Sequence, residues 1–231
     1  MVPDLKSFTG LTREELKQKL KDEGYAVLRR GHLCTVYHQP DSDVVLRVSM
    51  RPLTSALTCD YFMKHQGNPY LPKLFDHATV NEETHISVME KLTSIEEMAE
   101  DGQSYLFGMA RYMASFPFGD ITHNQVHAEL AKDKTFMAAV RALVTCAIES
   151  FHNFSEHDEC LFLDRDVDGI MYRAEADGCY KPVLVDTLTY TTPSDEIAQQ
   201  FDNILARLRR YEYDEYYKRT PAALRGGPPV S

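Results

Sequence analysis

Aspartates alternate with other residues in the short stretch CLFLDRDVDGIMYR, at residues 160–173. The stretch holds three of them: Asp164, Asp166 and Asp168. Further along, the apolar run KPVLVD ends on a fourth, Asp186. Carboxylates held in this way bind Mg²⁺ or orient a reacting hydroxyl group. The pattern therefore indicates a metal site or the catalytic loop of a phosphotransferase, and a solvated acidic loop stays the alternative.

The three aspartates differ in their distance from the apolar, strand-forming pair Ile170-Met171, and this distance indicates which of them is catalytic. In the protein-kinase pattern, a catalytic aspartate lies five residues before a metal-binding asparagine, and a pair such as Ile-Leu or Ile-Met follows directly. Taking Ile170-Met171 as that pair makes Asp164 the residue that orients the attacking hydroxyl and puts Gly169 at the asparagine position. Glycine has no side chain for a metal, so Asp168 is the candidate substitute ligand. Asp186 stands at the position of the D-F-G aspartate, whose role is Mg²⁺ chelation.

The phosphates of a nucleotide also need a cation and a covering loop. The run VVLRV resembles the strand that carries the ATP-binding lysine, with Arg47 in the lysine's place. Arginine keeps a positive charge but is longer and forked, and a strand residue reaching solvent is the alternative. In RRGHLCTVY, Gly31 and His32 would lie under the phosphate loop, although Gly31 taken alone is more typical of an ordinary hairpin turn.

The run ISVMEKL is similar to the hinge strand of such a site. Met89 would stand behind the adenine ring, and the backbone from Glu90 to Leu92 would pair with the adenine edge. The alternative is an ordinary core strand. These residues complete a candidate site for ATP and Mg²⁺.

The elements that would position these residues fall into two groups. Residues 25–92 predict the order β-β-β-α-β-β, after an N-terminal helix within 1–24 that Thr12 and Glu15 cap and Gly24 ends. Residues 93–219 predict a helical lobe that contains a β-hairpin region at 160–190, and residues 220–231 form a flexible tail. The predicted fold class is α+β, with a small β-rich N-lobe and a helical C-lobe.

Composition excludes some classes of function. The net charge of −10 argues against nucleic acid as the main partner, because phosphate contacts need clustered Lys and Arg. No apolar run approaches the roughly 18 residues of a membrane span, and no secretory signal is recognisable. The five cysteines form no C-x-x-C pair, which favours free thiols in a reducing cytoplasm.

Over roughly residues 25–190, the chain resembles the early serine/threonine protein kinase of short-tailed phages related to phage T-seven. The segments that carry the resemblance are GHLCTVYHQPDSDVVLRV, YFMKHQGNPYLPKLFDH, ISVMEKL and the aspartate stretch with Ile170 and Met171. The resemblance implies a divergent, minimal protein-kinase-like fold without a full activation segment. It also implies ATP- and Mg²⁺-dependent phosphorylation of host proteins in the host bacterial cytoplasm early in infection, with RNA polymerase, translation factors or defence factors as the targets.

The departures from that pattern keep other functions open. Arg47 and Gly169 replace groups that act directly on ATP and Mg²⁺, and the helix within 54–66 has no glutamate to pair with Arg47. A pseudokinase that binds and inhibits a host protein is therefore the alternative hypothesis. A small-molecule phosphotransferase of the aminoglycoside-kinase type is less favoured, because its helical lobe is larger than the room after residue 92.

Overall fold

The computed structural model describes residues 3–98, 100–116, 125–154, 159–163, 169–185 and 188–219. The first half contains a short 3-10 helix (Leu5–Phe8), α1 (Arg13–Asp22), β1 (Ala26–Arg30), β2 (Cys34–His38), β3 (Val44–Ser49), α2 (Pro52–Lys64), β4 (Leu74–Asn81) and β5 (Thr84–Glu90). The second half contains a 3-10 helix (Ile95–Glu97), α3 (Glu100–Ser115), α4 (Gln125–Lys132), α5 (Lys134–Phe154), β6 (Cys160–Leu163), β7 (Ile170–Ala174), β8 (Tyr180–Leu184), β9 (Leu188–Thr191) and α6 (Asp195–Arg219). The predicted β-β-β-α-β-β order is confirmed.

A five-stranded antiparallel sheet forms the N-lobe, in the order β1-β2-β3-β5-β4. Side chains alternate between its two faces, so neighbouring residues of β3 have different surroundings. Leu46 and Val48 face the N-terminal helix, whereas Val45 faces the C-lobe. Edge strand β1 is exposed along its whole length, including Val27 at 41% and Leu28 at 38% of their surface.

Helix α1 covers the outer face of this sheet. It begins with the predicted capping box: the backbone N–H of Glu15 donates to the Thr12 hydroxyl, and the Glu15 carboxylate accepts from the Thr12 N–H at 2.8 Å. Gly24 has a φ of +82°, a left-handed conformation that glycine adopts at low cost where a helix ends. The buried Leu16 and Leu20 pack with Leu46 in a core on this side of the sheet.

The larger core lies between the inner face of the sheet and the C-lobe. Helix α5 buries one stripe against it, and the members of that stripe include Phe136, Val140, Leu143, Val144 and Ala147. This is the spacing of i, i+3, i+4 and i+7 that the sequence predicts for a helix with one apolar face. Val45 and Met89 of the sheet belong to the same cluster, so the two lobes share one core.

The sequence run 123–154 predicts one helix, but its described residues form two. Helix α4 ends at Lys132, and α5 begins again at Lys134. Asp133 lies between them and accepts from the backbone N–H groups of Thr135 and Phe136, at 2.8 and 3.0 Å. An aspartate in this position caps a new helix, and no Gly or Pro marks the break.

The predicted β-structure at 160–190 consists of two small antiparallel sheets. Strand β6 pairs with β9, and β7 pairs with β8. Along the chain, the β7–β8 hairpin therefore lies between β6 and β9, the two strands of the other sheet. Together with the N-lobe sheet and the surrounding helices, this arrangement confirms the predicted α+β, two-lobed fold class.

Within the described ranges, no helix combines the length and the apolar character that crossing a membrane requires.

Candidate functional site

The candidate catalytic and metal residues, Asp164, Asp168 and Asp186, lie outside the described residues, as does Asp166. Their described neighbours in the chain are paired. Leu163, which precedes Asp164, pairs with Leu188 of β9. The backbone N–H of Val185, which precedes Asp186, donates to the carbonyl of Gly169 at 3.0 Å. The residues that flank 164–168 are therefore paired with the residues that flank 186–187.

Arg47 lies on the inner face of the sheet, half-buried and opposite Val36 of β2 and Ser87 of β5. It borders a narrow cavity of about 10 Å³. The residues that line this cavity with it come from both lobes: Ser55, Thr58, Leu161, Val185, Leu188 and Tyr190. Val185 and Leu188 are the described residues on either side of Asp186-Thr187. Arg47 therefore lies near the described residues that flank Asp186 in the chain.

Helix α2 presents hydroxyl groups, not a carboxylate, to the Arg47 cavity. The Ser55 hydroxyl donates to that of Ser49 at 2.7 Å and lies 3.2 Å from the Tyr190 hydroxyl. Asp60 is directed elsewhere, since its Oδ1 lies 3.2 Å from His77 Nε2. Ser55 and Tyr190 are not recognisable from the sequence, because isolated hydroxyl residues in an apolar context form no motif.

Gly31 and His32 lie in the exposed turn between β1 and β2. The Gly31 N–H donates to the carbonyl of Cys34 at 2.8 Å, as in an ordinary hairpin turn. Both residues border a cavity with Val48, on the side of the sheet that α1 covers. Among the described contacts, the structure does not bring them to the cavity that Arg47 borders.

Met89, Glu90 and Leu92 lie where β5 leads into the second lobe, and all three are buried. The backbone N–H of Glu90 donates to the carbonyl of Lys73 at 3.0 Å, and that of Lys91 donates to Asp43 at 2.8 Å. These two donors are already used within the N-lobe. Contact of this segment with adenine stays a prediction.

The Glu90 side chain has a role that its backbone position did not suggest. Its carboxylate forms an ion pair with Arg173 of β7, and Arg173 Nε donates to Glu90 Oε2 at 2.8 Å. The two side chains are only 10% and 12% exposed. Arg173 also donates to the carbonyls of Pro69 and Leu71, at 2.8 and 3.0 Å. The hydrogen bonds to Glu90 raise the pKa of Arg173 and outweigh the effect of burial, so the guanidinium stays charged.

Two backbone hydrogen bonds extend this connection between the lobes. Thr93 and Tyr172 exchange N–H···O bonds of 2.9 Å in each direction. At the other end of the inner face, the Thr54 hydroxyl donates to Glu159 at 2.5 Å, and Arg51 lies 3.5 Å from the same carboxylate. The lobes are therefore joined both at β5–β7 and at the N-terminus of α2.

A second polar cluster lies one helical turn along α2 from Ser55. Cys59, His77 and His85 place their ligand-type atoms within 4.8 Å of one another. Burial, together with the smaller effects of His77 and Arg47, lowers the pKa of His85 to about 3. Burial raises the pKa of Cys59 to about 12, against the opposing effects of Arg47 and Ser87. In the metal-free protein both groups are therefore neutral.

Comparison with known proteins gives matches in structure only. Neither a protein-family model nor a curated protein matches the sequence. Among solved structures, the chain is similar to the microcompartment-associated aminopropanol kinase, with 13% identity, 95% of this chain and 81% of that chain covered, and a TM-score of 0.38. Aminoglycoside phosphotransferase APH(4)-Ia gives 12% identity, 88% and 83% coverage, and a TM-score of 0.36. The kinase PK-1 of Cydia pomonella granulovirus is 10% identical, with 78% of this chain and 60% of that chain covered and a TM-score of 0.34.

Proposed function

We propose that the protein is a phosphotransferase that moves the terminal phosphoryl group of ATP to a hydroxyl acceptor. The observation that supports this function is the position of Arg47. Its cavity is bordered by Val185 and Leu188, which flank Asp186, and Leu188 pairs with Leu163, which precedes Asp164. Phosphoryl transfer requires a cation that binds the phosphates and carboxylates close to it. Arg47 would be this cation, and the neighbouring strand ends lead into the carboxylates.

Each residue has a defined task in this proposal. Arg47 binds the α- and β-phosphates through its guanidinium N–H groups, which suit phosphate oxygens. Asp164 orients the acceptor hydroxyl and takes its proton as the new P–O bond forms and the bond between the γ-phosphorus and the bridging oxygen breaks, which releases ADP. Asp186 and Asp168 are the proposed ligands of Mg²⁺, which when bound neutralises negative charge on the phosphates. Gly169 offers no side-chain ligand, so Asp168 supplies the oxygen that an asparagine would give.

The proposed acceptor is a serine or threonine hydroxyl of a host protein, as the family resemblance implies. Transfer is tested with radiolabelled ATP and Mg²⁺, using host-cell lysate, the protein itself and small amino alcohols or aminoglycosides as separate acceptors. We expect label in proteins, lost in the Asp164→Ala and Asp186→Ala variants and reduced in Arg47→Ala. The exposed Asp202→Asn on α6 is the matched control and keeps activity.

The competing function is a pseudokinase that binds a host protein without transferring phosphate. Two observations favour it: Gly169 offers no ligand side chain, and α2 contributes hydroxyls and no glutamate to the lining of the cavity that Arg47 borders. ATP would then bind weakly or not at all, and no label would transfer. Label that depends on both aspartates excludes this function. Unchanged melting temperature with ATP and Mg²⁺, together with no transfer, excludes the phosphotransferase.

A further inference from the structure

We propose that Cys59, His77 and His85 form a binding site for a soft divalent cation, Zn²⁺ in the first place, between α2 and the N-lobe sheet. The residues come from three elements, α2, β4 and β5, so the site depends on the folded N-lobe. Thiolate and imidazole are the ligands that Zn²⁺ prefers in proteins. This site shares no residue with the proposed phosphoryl-transfer site and holds a different class of metal from Mg²⁺.

The distances fit tetrahedral coordination. All three ligand atoms lie within 4.8 Å of one another, and His77 Nδ1 lies 3.2 Å from His85 Nε2. Two imidazole nitrogens bound to one tetrahedral Zn²⁺ at about 2.0–2.1 Å are separated by about 3.3 Å. The separation of these two nitrogens therefore matches the one that the cation requires. A thiolate sulfur about 2.3 Å from the same Zn²⁺ lies about 3.5 Å from each nitrogen, so the Cys59 sulfur has to move closer by about 1.2 Å or less.

Asp60 provides a second, independent indication of a ligand. Its Oδ1 lies 3.2 Å from Nε2 of His77, the ring nitrogen opposite the one that faces His85. A histidine that binds metal usually donates its other ring N–H to a carboxylate, which fixes its tautomer and orientation. With Nε2–H donated to Asp60, the Nδ1 lone pair of His77 points into the cluster.

Charge and access are consistent with a cation at this position. The charged groups of the described residues that act on the cluster are Arg47 and Asp60. The Cys59 thiolate and the Asp60 carboxylate together balance the two charges of Zn²⁺. Arg47 favours the thiolate form of Cys59 but repels the metal, so moderate affinity is expected. His77 is 22% exposed and Asp60 67%, which leaves an entry path from solvent beside the buried His85.

With three protein ligands, the fourth coordination position is left to water. Occupancy would fix α2 against β4 and β5. The same helix contributes Ser55 and Thr58 to the cavity that Arg47 borders. The bound cation would therefore also limit movement of α2 relative to Arg47.

The proposal is tested on tag-free full-length protein by elemental analysis, titration with Zn²⁺ and the absorption of the Co²⁺-loaded form, all without nucleotide. We expect one equivalent of metal and a thiolate-to-Co²⁺ charge-transfer band. Cys59→Ser removes the band and weakens binding by about 100-fold, and Asp60→Asn weakens it by about 10-fold. Zn²⁺ at about 100 times its Kd should raise the melting temperature by about 5–10 °C.

Matched variants separate this site from other thiols and imidazoles. Cys160→Ser changes a buried thiol of the C-lobe, Cys179→Ser an exposed thiol and His152→Gln an exposed imidazole, and all three should keep wild-type affinity. The proposal is overturned if the wild type forms no 1:1 complex with the metal. It is also overturned if Cys59→Ser leaves the metal affinity and the Co²⁺ spectrum unchanged. If Cys59→Ser does not fold, two other results test the proposal. They are the loss of metal affinity in the exposed variant Asp60→Asn and the thiolate-to-Co²⁺ band of the wild type.

Discussion

Glu90 illustrates how a buried charge can give a residue a structural role. From the sequence, Glu90 is predicted to contribute its backbone to a segment that faces adenine. Its carboxylate instead accepts hydrogen bonds from Arg173 and from the backbone N–H of Lys73. Charged residues are almost never fully buried without a partner, so a glutamate directly after the apolar run ISVM was itself a signal of such pairing. The partner could not be found from one sequence, because Arg173 lies 83 positions away.

The Glu90–Arg173 pair gives a prediction about stability. Arg173→Ala leaves a buried carboxylate without its cation and should lower the free energy of unfolding by about 3–5 kcal/mol. Urea denaturation measures this change. The double variant Glu90→Gln/Arg173→Met should recover part of the loss, since no unpaired charge remains. Lys17→Ala removes the exposed Glu14–Lys17 pair on α1 and should have no comparable effect. Equal losses in Arg173→Ala and Lys17→Ala would contradict the prediction.

At the scale of elements, the start of α5 determines how the second lobe meets the first. Asp133 caps the helix, and its other oxygen accepts from the Tyr70 hydroxyl at 2.6 Å. Tyr70 lies in the connection between α2 and β4. One aspartate therefore both begins a helix and attaches it to the neighbouring lobe.

Replacing this cap should cost stability in a pH-dependent way. Asp133→Ala should lose about 1–2 kcal/mol at neutral pH, mainly through the lost N-cap. Burial tends to raise the pKa of Asp133, but the hydrogen bonds from Tyr70, Phe136 and Thr135 outweigh it and lower the pKa below 3.8. The contribution of the carboxylate is thus present above pH 3.8 and is lost as pH falls through the lower folded-state pKa.

Thermal or urea unfolding of wild type and variant between pH 7 and pH 2 measures the difference. The two proteins should converge in stability at the acid end. Tyr70→Phe keeps the cap and should show a smaller loss with the same sign of pH dependence. A difference between wild type and Asp133→Ala that stays constant down to pH 2 would exclude an ionised cap.

For the whole molecule, the sequence predicted local structure better than long-range contacts. The capping box at Thr12, the strand-rich first half and the apolar stripe of α5 are local patterns with a fixed period, and all are confirmed. The break at Asp133 was missed, because an aspartate cap within a polar run resembles a helix surface. The Cys59–His77–His85 cluster was missed, because its members share no short spacing and meet only when α2 packs on the sheet.

Thiol reactivity should report global unfolding of the molecule. Burial raises the pKa of Cys59 to about 12, of Cys146 to about 12 and of Cys160 to about 11, whereas Cys179 is exposed. A thiol-specific reagent at pH 8 should label Cys179 rapidly and the three buried thiols only at the rate of unfolding, because the thiolate is the reactive form. Cys34 is partly exposed, so Cys179→Ser together with Cys34→Ser should remove the fast phase. Rapid labelling of a buried thiol would contradict the structure.

The position of the contacts between the lobes restricts how the cleft can open. The Glu90–Arg173 pair and the Thr93–Tyr172 hydrogen bonds hold one side through buried or backbone contacts. On the other side, the Thr54 hydroxyl and the 45% exposed Arg51 share the Glu159 carboxylate. Sliding the lobes apart would break the contacts on both sides at once. A rotation about Glu90 and Thr93 would keep the β5–β7 contacts and break only those with Glu159, so we expect any opening of the lobes to be largest at the N-terminus of α2.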